Sequence, residues 1–254
     1  MNCSDAQQWP NLAAVHWQRH DIKPMNIKNI LTAIATVAVF LTHTTAHAAT
    51  VESRLEQYGV AARARLVPHF QKAGVVYPPS ALVFIGLKEE KILQVYAKSG
   101  TNEFHFIRLY AIQAASGVAG PKLRQGDKQV PEGIYGIDLL NPNSSYHLSM
   151  QISYPNAFDR AQAAKEGRTN LGGEIMIHGK ALSVGCLAMG DEAAEDFFVL
   201  AADTKIENIT VILTPVDFRE GKSIPDNARL TPWTDTLYPE IKKRLAEFPP
   251  PKTK

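Results

Sequence analysis

The chain is predicted to fold as a mainly β domain with peripheral helices. Short apolar runs of β-like pattern crowd the stretch from Ala81 to Leu213, while helical spacing marks the two ends and the segment after Cys186. The 254 residues are 45% hydrophobic and 20% charged, enough apolar material for a sizeable core. A formal net charge of only +2 gives no indication of a nucleic-acid surface.

Residues 1–24 are polar and irregular. Met25-Asn-Ile-Lys28 then leads into an apolar run from Ile30 to Leu41 that ends at Ala46-His47-Ala48. A positive start, an apolar middle and a small-x-small site read as a secretory signal peptide. The run is shorter than the roughly 20 residues of a membrane span, so no stable span is expected. Residues 1–48 are therefore expected to be an upstream segment and signal peptide, with translation starting at Met25 and the mature chain at Ala49. Of the two cysteines, Cys3 precedes the signal, which leaves Cys186 alone in an exported chain. Exported proteins usually pair their cysteines, so an unpaired one is a candidate reactive thiol. No cysteine follows the apolar run to carry a lipid anchor.

Val51 to Phe70 reads as a helix, because Leu55, Tyr58, Ala62, Leu66 and Phe70 recur at spacings near three and four, and residues 49–79 form an N-terminal helical arm. Strands are expected at Leu82–Leu87, Ile92–Ala97 and Phe104–Ile112, separated by turns at Lys88–Lys91 and Ser99–Asn102. Residues 116–133, with four glycines and two prolines, read as a long loop that could border a functional site. Two further strands, Ile134–Leu139 and Tyr146–Ser153, precede a short basic helical segment over Pro155–Arg168. Glu174–His178 alternates like a strand. Asp191 reads as an N-cap, with Ala194, Phe197, Phe198 and Ala201 on one face of the helix that follows. Asn208–Leu213 is a last buried strand. Residues 216–254 supply a final helix near Pro239–Phe248 and a disordered tail from Pro249. No internal repeat, heptad pattern or phosphate loop is present.

The chemistry concentrates in one stretch, Glu174-Ile-Met-Ile-His178-Gly179-Lys-Ala-Leu-Ser183-Val-Gly185-Cys186. It sets one histidine and one cysteine eight positions apart, each beside a glycine. A cysteine attacks as thiolate, and with a free pKa of about 8.5 it needs a neighbouring base, which His178 can supply. Gly179 and Gly185 permit close backbone approaches, and amides around Gly185 and Cys186 could hold an oxyanion. Taken singly, the cysteine could be a buried hydrophobe and the histidine a hydrogen-bonded structural residue. A thiol redox protein would need a second mature cysteine, and a zinc site would need further ligands at suitable spacing. No metal or other cofactor is expected.

The His-Gly and Ser-x-Gly-Cys elements resemble the signature of the L,D-transpeptidase catalytic domain, the YkuD domain, whose members remodel bacterial peptidoglycan through a cysteine acyl-enzyme. The likeness extends to Pro131-Glu-Gly-Ile-Tyr135 and Tyr154-Pro-Asn-Ala-Phe-Asp-Arg160 and covers roughly residues 80–215, most like the YafK-type subgroup. Departures are Ala188 where most members have arginine, Val184 where many have histidine, and a short gap from His178 to Ser183. The resemblance implies a β-sandwich or barrel-like core and a periplasmic enzyme acting on peptidoglycan stem peptides. It implies Cys186 as nucleophile, His178 as base, and the Gly179 carbonyl as the group that holds the imidazole. Ser183 would support the loop, and Tyr154 and Arg160 would contact substrate, the arginine through a stem-peptide carboxylate. A transpeptidase forming cross-links or attaching a lipoprotein to the wall, a hydrolase of the same bonds, and a noncatalytic wall-binding module all remain open.

Overall fold

The computed structural model describes residues 48–100 and 103–251. The expected signal peptide, its expected cleavage site up to His47, the expected start at Met25 and Cys3 lie outside the described residues, as does the end of the tail from residue 252. From Ala48 onward the chain forms one compact unit.

Among the described residues, ten strands form two mixed sheets. The first contains β1 (Ala81–Leu87), β2 (Ile92–Lys98), β3 (His105–Ala111), β5 (Gly133–Tyr135) and β10 (Ile209–Thr214) in the order β3-β2-β1-β10-β5, antiparallel except where β1 runs parallel to β10. The second contains β4 (Ala114–Ala115), β6 (Ile137–Asn141), β7 (Ser149–Ile152), β8 (Met176–His178) and β9 (Leu187–Ala188) in the order β4-β9-β8-β7-β6, antiparallel except where β8 runs parallel to β9. The expected strand Ile134–Leu139 is thus two strands in different sheets. The break is at Gly136, whose amide leaves the ladder to donate to Ser153 Oγ at 2.7 Å.

The helices are α1 (Val51–Ala73), α2 (Ala157–Lys165), α3 (Asp191–Thr204) and α4 (Thr234–Leu245). Helix α1 opens on a capping box between Thr50 and Ser53 and stops at Gly74, which takes the left-handed conformation that favours glycine. Its buried face, Ala62, Leu66 and Phe70, confirms the periodicity of the sequence. Two arginines on its other side fix it to α3: Arg63 grips Asp203 with two nitrogens at 2.8 and 2.7 Å, and Arg65 reaches Asp196 at 2.7 Å.

The main core lies between the sheets and under α1 and α3, where Leu82, Phe84, Met150, Ile177, Leu187, Phe197 and Val211 meet. A second apolar layer lies on the far face of the first sheet. There Val83, Ile85 and Leu87 pack against Trp233, Leu237, Ile241 and Leu245 of α4. Strand β1 therefore has apolar neighbours on both sides, which is why it reads as an unbroken apolar run. The C-terminal segment is part of the body rather than a loose flank. Phe248 is fully buried, and the Pro249 carbonyl accepts the Tyr96 hydroxyl at 2.8 Å, so the expected disorder does not begin at Pro249.

Helix α4 starts at Thr234, one turn earlier than expected, with Pro239 inside it. Burial of its apolar face against the first sheet outweighs the hydrogen bond that proline removes. Helix α2 carries a capping box between Asn156 and Asp159. Among the described residues, no helix is long and apolar enough to cross a membrane.

Candidate active site

Pairing in the second sheet assembles the site. Strand β8 ends at His178, β9 begins just after Cys186, and the parallel register sets Ile177 beside Leu187 and His178 beside Ala188. Met176 is consequently level with Cys186, and its amide donates to the Cys186 sulfur at 3.4 Å. The thiol can donate in turn to the Glu174 carbonyl at 3.8 Å. On the other side of β8, Ser149 of β7 pairs with His178.

Cys186 and His178 both line a cleft of about 380 Å³. Its polar rim is Asn141, Asn143, Ser144 and Ser145, its floor includes Ser149 and Met176, and Leu182 and Val184 project beside the nucleophile, 75% and 73% exposed. Glu174 is the one side chain of fixed charge in the lining. A larger depression of about 730 Å³, bordered by Lys98, Glu103, Glu207 and Arg244, contains neither the thiol nor the imidazole.

The imidazole is held in one tautomer. His178 Nδ1 lies 2.6 Å from the Gly179 carbonyl oxygen. A carbonyl can only accept, so Nδ1 carries the proton and Nε2 is left with its lone pair. The ring of Tyr146 packs at 4.8 Å, inclined by 47°, against that imidazole. Gly179 itself has no room for a side chain. A Cβ there would stand 2.7 Å from Asp191 Oδ1, 2.8 Å from the Tyr146 carbonyl and 2.9 Å from His147 Cβ.

Burial biases both Cys186 and His178 toward their neutral forms. Burial pushes the Cys186 thiol above its ordinary range, with the Glu174 charge adding to it, against the opposing effects of the Met176 amide and the Lys122 charge. Burial also pushes the His178 imidazole below its ordinary range, partly offset by the bond to Gly179. A thiol and an imidazole that line one cleft and are both biased toward their neutral forms suit proton transfer during attack better than a preformed ion pair.

The turn before Cys186 is closed by Ser183. Its hydroxyl donates to the Cys186 carbonyl at 2.5 Å and accepts the Cys186 amide at 3.0 Å. Gly185, at φ +91°, donates its amide to Ser116 Oγ at 2.6 Å, and Ser116 donates to the Lys128 carbonyl at 2.8 Å. The long 116–133 loop therefore latches directly onto the turn that carries Cys186. The Gly185 and Cys186 amides, the groups expected to hold an oxyanion, already have partners in this structure. Both are spent on serine hydroxyls.

Tyr154 and Arg160 are not brought to this cleft. Tyr154 turns inward, is 3% exposed, and spends its hydroxyl on the Lys122 and Leu171 carbonyls. Arg160 is on the outer face of α2, bonded to the Pro155 carbonyl. Asp191 is not an N-cap. Gly190 takes that position without a side-chain bond, and the Asp191 carboxylate accepts the Lys180 amide at 2.7 Å. Among the described residues, no group of three or more histidine, cysteine or acidic side chains is arranged to hold a metal ion. Tyr146, Glu174 and Ser116 escape sequence reasoning, because only the pairing of β7, β8 and β9 and the return of the long loop bring them to the site.

No protein-family model matches the chain. Over 113 residues it is 39% identical to proteins named "Putative L,D-transpeptidase YafK" from Escherichia coli K12 and Escherichia coli O157:H7, a match covering 44% of this chain and 43% of those proteins. The match thus spans less than half the length of these curated relatives. Solved structures with some likeness include the helical cell shape determining protein Pgp2 from Campylobacter jejuni, 24% identical with a TM-score of 0.45 over 57% of this chain and 49% of that one. Bd1075 from Bdellovibrio bacteriovorus is 20% identical with a TM-score of 0.37 over 67% and 56% of the two chains. L,D-transpeptidase 1 from Mycobacterium tuberculosis is 13% identical with a TM-score of 0.31 over 53% and 62%. Over the matched 113 residues, this chain is therefore similar in sequence to proteins named as putative L,D-transpeptidases of the YafK type.

Proposed function

We propose that this protein is an exported, periplasmic cysteine acyl-transfer enzyme acting on peptidoglycan stem peptides, with Cys186 as nucleophile and His178 as general base and acid. The observation that carries the reading is the 2.6 Å bond from His178 Nδ1 to the Gly179 carbonyl, in a cleft that the Cys186 thiol also lines. It fixes the tautomer whose Nε2 can take the thiol proton. As Nε2 accepts that proton, Sγ attacks the substrate carbonyl and a tetrahedral oxyanion forms. Collapse breaks the C–N bond, the imidazolium gives its proton to the departing amine, and a thioester remains on Cys186. An incoming nucleophile then attacks the thioester, His178 takes its proton, and Sγ leaves as thiolate and receives that proton from the imidazolium, which restores the thiol and the neutral base.

The Gly185 and Cys186 amides would serve the oxyanion only after substrate displaces Ser116 or Ser183, whose hydroxyls hold them at rest. An amine as second nucleophile makes the protein a transpeptidase, forming cross-links or attaching a protein to the wall, whereas water makes it a hydrolase of the same bonds.

The test is incubation of purified protein with defined muropeptides, followed by mass spectrometry. Turnover is expected from the parent, with new mass at an amine for transfer or loss of a residue for hydrolysis. Cys186→Ala and His178→Ala should each abolish turnover, and the double variant should be little worse, since both act in one step. A carbapenem should add covalent mass to the parent and none to Cys186→Ala. Retained turnover in Cys186→Ala would sink the acyl-enzyme reading in favour of a wall-binding module.

A further inference from the structure

The carboxylate of Asp191 plays no part in the scheme above, yet it is separated from the proposed base by a single peptide group. As the first residue of α3 it would ordinarily serve its own helix, by capping an amide or by meeting the positive end of the helix dipole. The capping position belongs instead to Gly190, which makes no side-chain cap bond. Asp191 Oδ1 turns away and accepts the Lys180 N–H at 2.7 Å. That N–H and the Gly179 carbonyl are the two ends of one planar amide. The carbonyl end accepts Nδ1–H of His178 at 2.6 Å. Carboxylate, amide and imidazole therefore form one hydrogen-bonded series.

Its surroundings leave this amide little freedom. The Met189 amide donates to the His178 carbonyl at 2.8 Å and the Gly190 amide to the Lys180 carbonyl at 2.9 Å, so residues 178–180 are laced to residues 189–191. Lys180 takes φ +57°, a left-handed conformation uncommon for a side chain of its size. The space a Cβ would need at Gly179 is filled in part by Asp191 Oδ1 itself.

We propose that Asp191 is a positioning residue for His178 and acts on it through the Gly179–Lys180 peptide group. The inference rests on the reading of His178 as base. A negative charge at the N–H end of an amide draws electron density toward its oxygen, and hydrogen bonds in series strengthen one another. The Gly179 carbonyl becomes a better acceptor for Nδ1–H, most of all when His178 has taken the thiol proton and is an imidazolium. In a serine protease an aspartate bonds the histidine directly, whereas here one peptide group stands between them. Asp191 is exposed, so solvent and salt screen the effect. The other charged or titratable groups at this end of the site are Glu174, Cys186 and Tyr146 in the cleft, Arg108, Tyr110 and Glu192 in the depression that Asp191 also lines, Lys180, whose ammonium is drawn to the Ser145 carbonyl at 2.6 Å, and His147, held by Glu195 at 3.0 Å.

The experiment measures the acylation rate of Cys186 by a carbapenem against pH, by intact mass, together with nitrogen NMR of labelled histidine in which His178→Ala identifies the signal. Asp191→Asn keeps an oxygen that can accept the Lys180 amide and removes only the charge, whereas Asp191→Ala removes both. Asp191→Asn should keep the Nδ1–H tautomer, move the titration of His178 to lower pH and slow acylation several-fold. Asp191→Ala should mix the tautomers and slow it about tenfold, a modest part of the roughly 10²–10⁴ a general base supplies. Glu192→Ala, one residue along the same helix turn, should change none of these. A purely structural role predicts full rescue by asparagine, with no movement of the His178 titration, and that result would overturn the proposal. If in that case His178→Ala were still inert, the base reading would survive without the relay. Acylation at the parent rate in His178→Ala would remove both.

Discussion

Replacing Gly179 by alanine tests whether the backbone beside the base is as tightly held as the geometry requires. The new Cβ would stand 2.7, 2.8 and 2.9 Å from Asp191 Oδ1, the Tyr146 carbonyl and His147 Cβ, where ordinary carbon contacts begin near 3.4 Å. The overlaps are therefore 3.4 − 2.7 = 0.7, 0.6 and 0.5 Å. Asp191 can swing, but the other two atoms belong to or adjoin backbone at the cleft wall, so the peptide carrying the Gly179 carbonyl must move. Overpacking of this kind costs about 1–3 kcal/mol. For a domain of this size that lowers Tm by about 3–10 °C. The catalytic loss should be larger. A displacement of half an ångström or more at the carbonyl that orients His178 should cost roughly 100-fold in kcat/KM, because misplacement near 1 Å has that order of effect. Thermal melts and muropeptide turnover should be compared with Gly173→Ala, whose Cβ would meet nothing closer than the Tyr154 carbonyl at 3.9 Å. Gly173→Ala should match the parent in both. A Gly179→Ala protein with parental Tm and turnover would refute the claim that this peptide is fixed by its neighbours.

Three further outcomes follow from the same geometry. With the thiol pushed up and the imidazole pushed down, alkylation of Cys186 by iodoacetamide should be slow at pH 6 and still be rising above pH 8.5; a fast plateau below pH 6 would instead reveal a preformed thiolate–imidazolium pair. Ser116→Ala frees the Gly185 amide from its 2.6 Å bond and unlatches the long loop from the turn before Cys186, so acylation should change at least threefold in either direction while stability falls by about 1 kcal/mol; parental kinetics would show that the latch is idle. Glu132 is 1% exposed and accepts Lys88 Nζ at 2.9 Å, the Gly120 amide at 2.7 Å and the Tyr238 hydroxyl at 2.7 Å, so Glu132→Ala leaves the buried Lys88 charge unpaired, with only the Gly120 and Val130 carbonyls as acceptors, strands two further buried donors and should cost about 3–5 kcal/mol in urea unfolding; a loss below 1 kcal/mol would mean that water replaces the carboxylate.

What the sequence revealed is what burial writes into it periodically. The face of α1 was readable because Ala62, Leu66 and Phe70 recur at helical spacing and are all buried. β1 and β10 were readable because both are nearly continuous apolar runs in the middle of a sheet. Short elements defined by their partners left no such mark. β4 and β9 are two residues each and exist only through their pairing, and the expected strand from Tyr146 shrinks to Ser149–Ile152 because His147 takes φ +72° on the approach to the site. Glu174, at φ +54°, similarly breaks the expected strand before Met176. Cys186 and His178 stand out in the sequence by residue type and by the glycines beside them, and the structure places both in the lining of one cleft. Tyr154 and Arg160 came from likeness of sequence alone, and likeness does not say which way a side chain turns.

The same distinction explains why Asp191 was misread. Its local context, an acid at the start of an apolar-faced helix, is that of a capping residue, and local context was all the chain offered. Parallel pairing of β8 with β9 brings residues 189–191 back alongside 178–180, so the carboxylate meets an amide eleven positions earlier instead of one in its own helix. The helix start gives up its side-chain cap, a sacrifice that ordinarily costs about 1 kcal/mol. The carboxylate is not thereby left without a partner, since a charge-assisted bond at 2.7 Å replaces what the cap would have supplied. A local rule broken in one place and satisfied across a strand pair is the pattern expected where a fold serves a site. Here the place it serves is the carbonyl that holds His178.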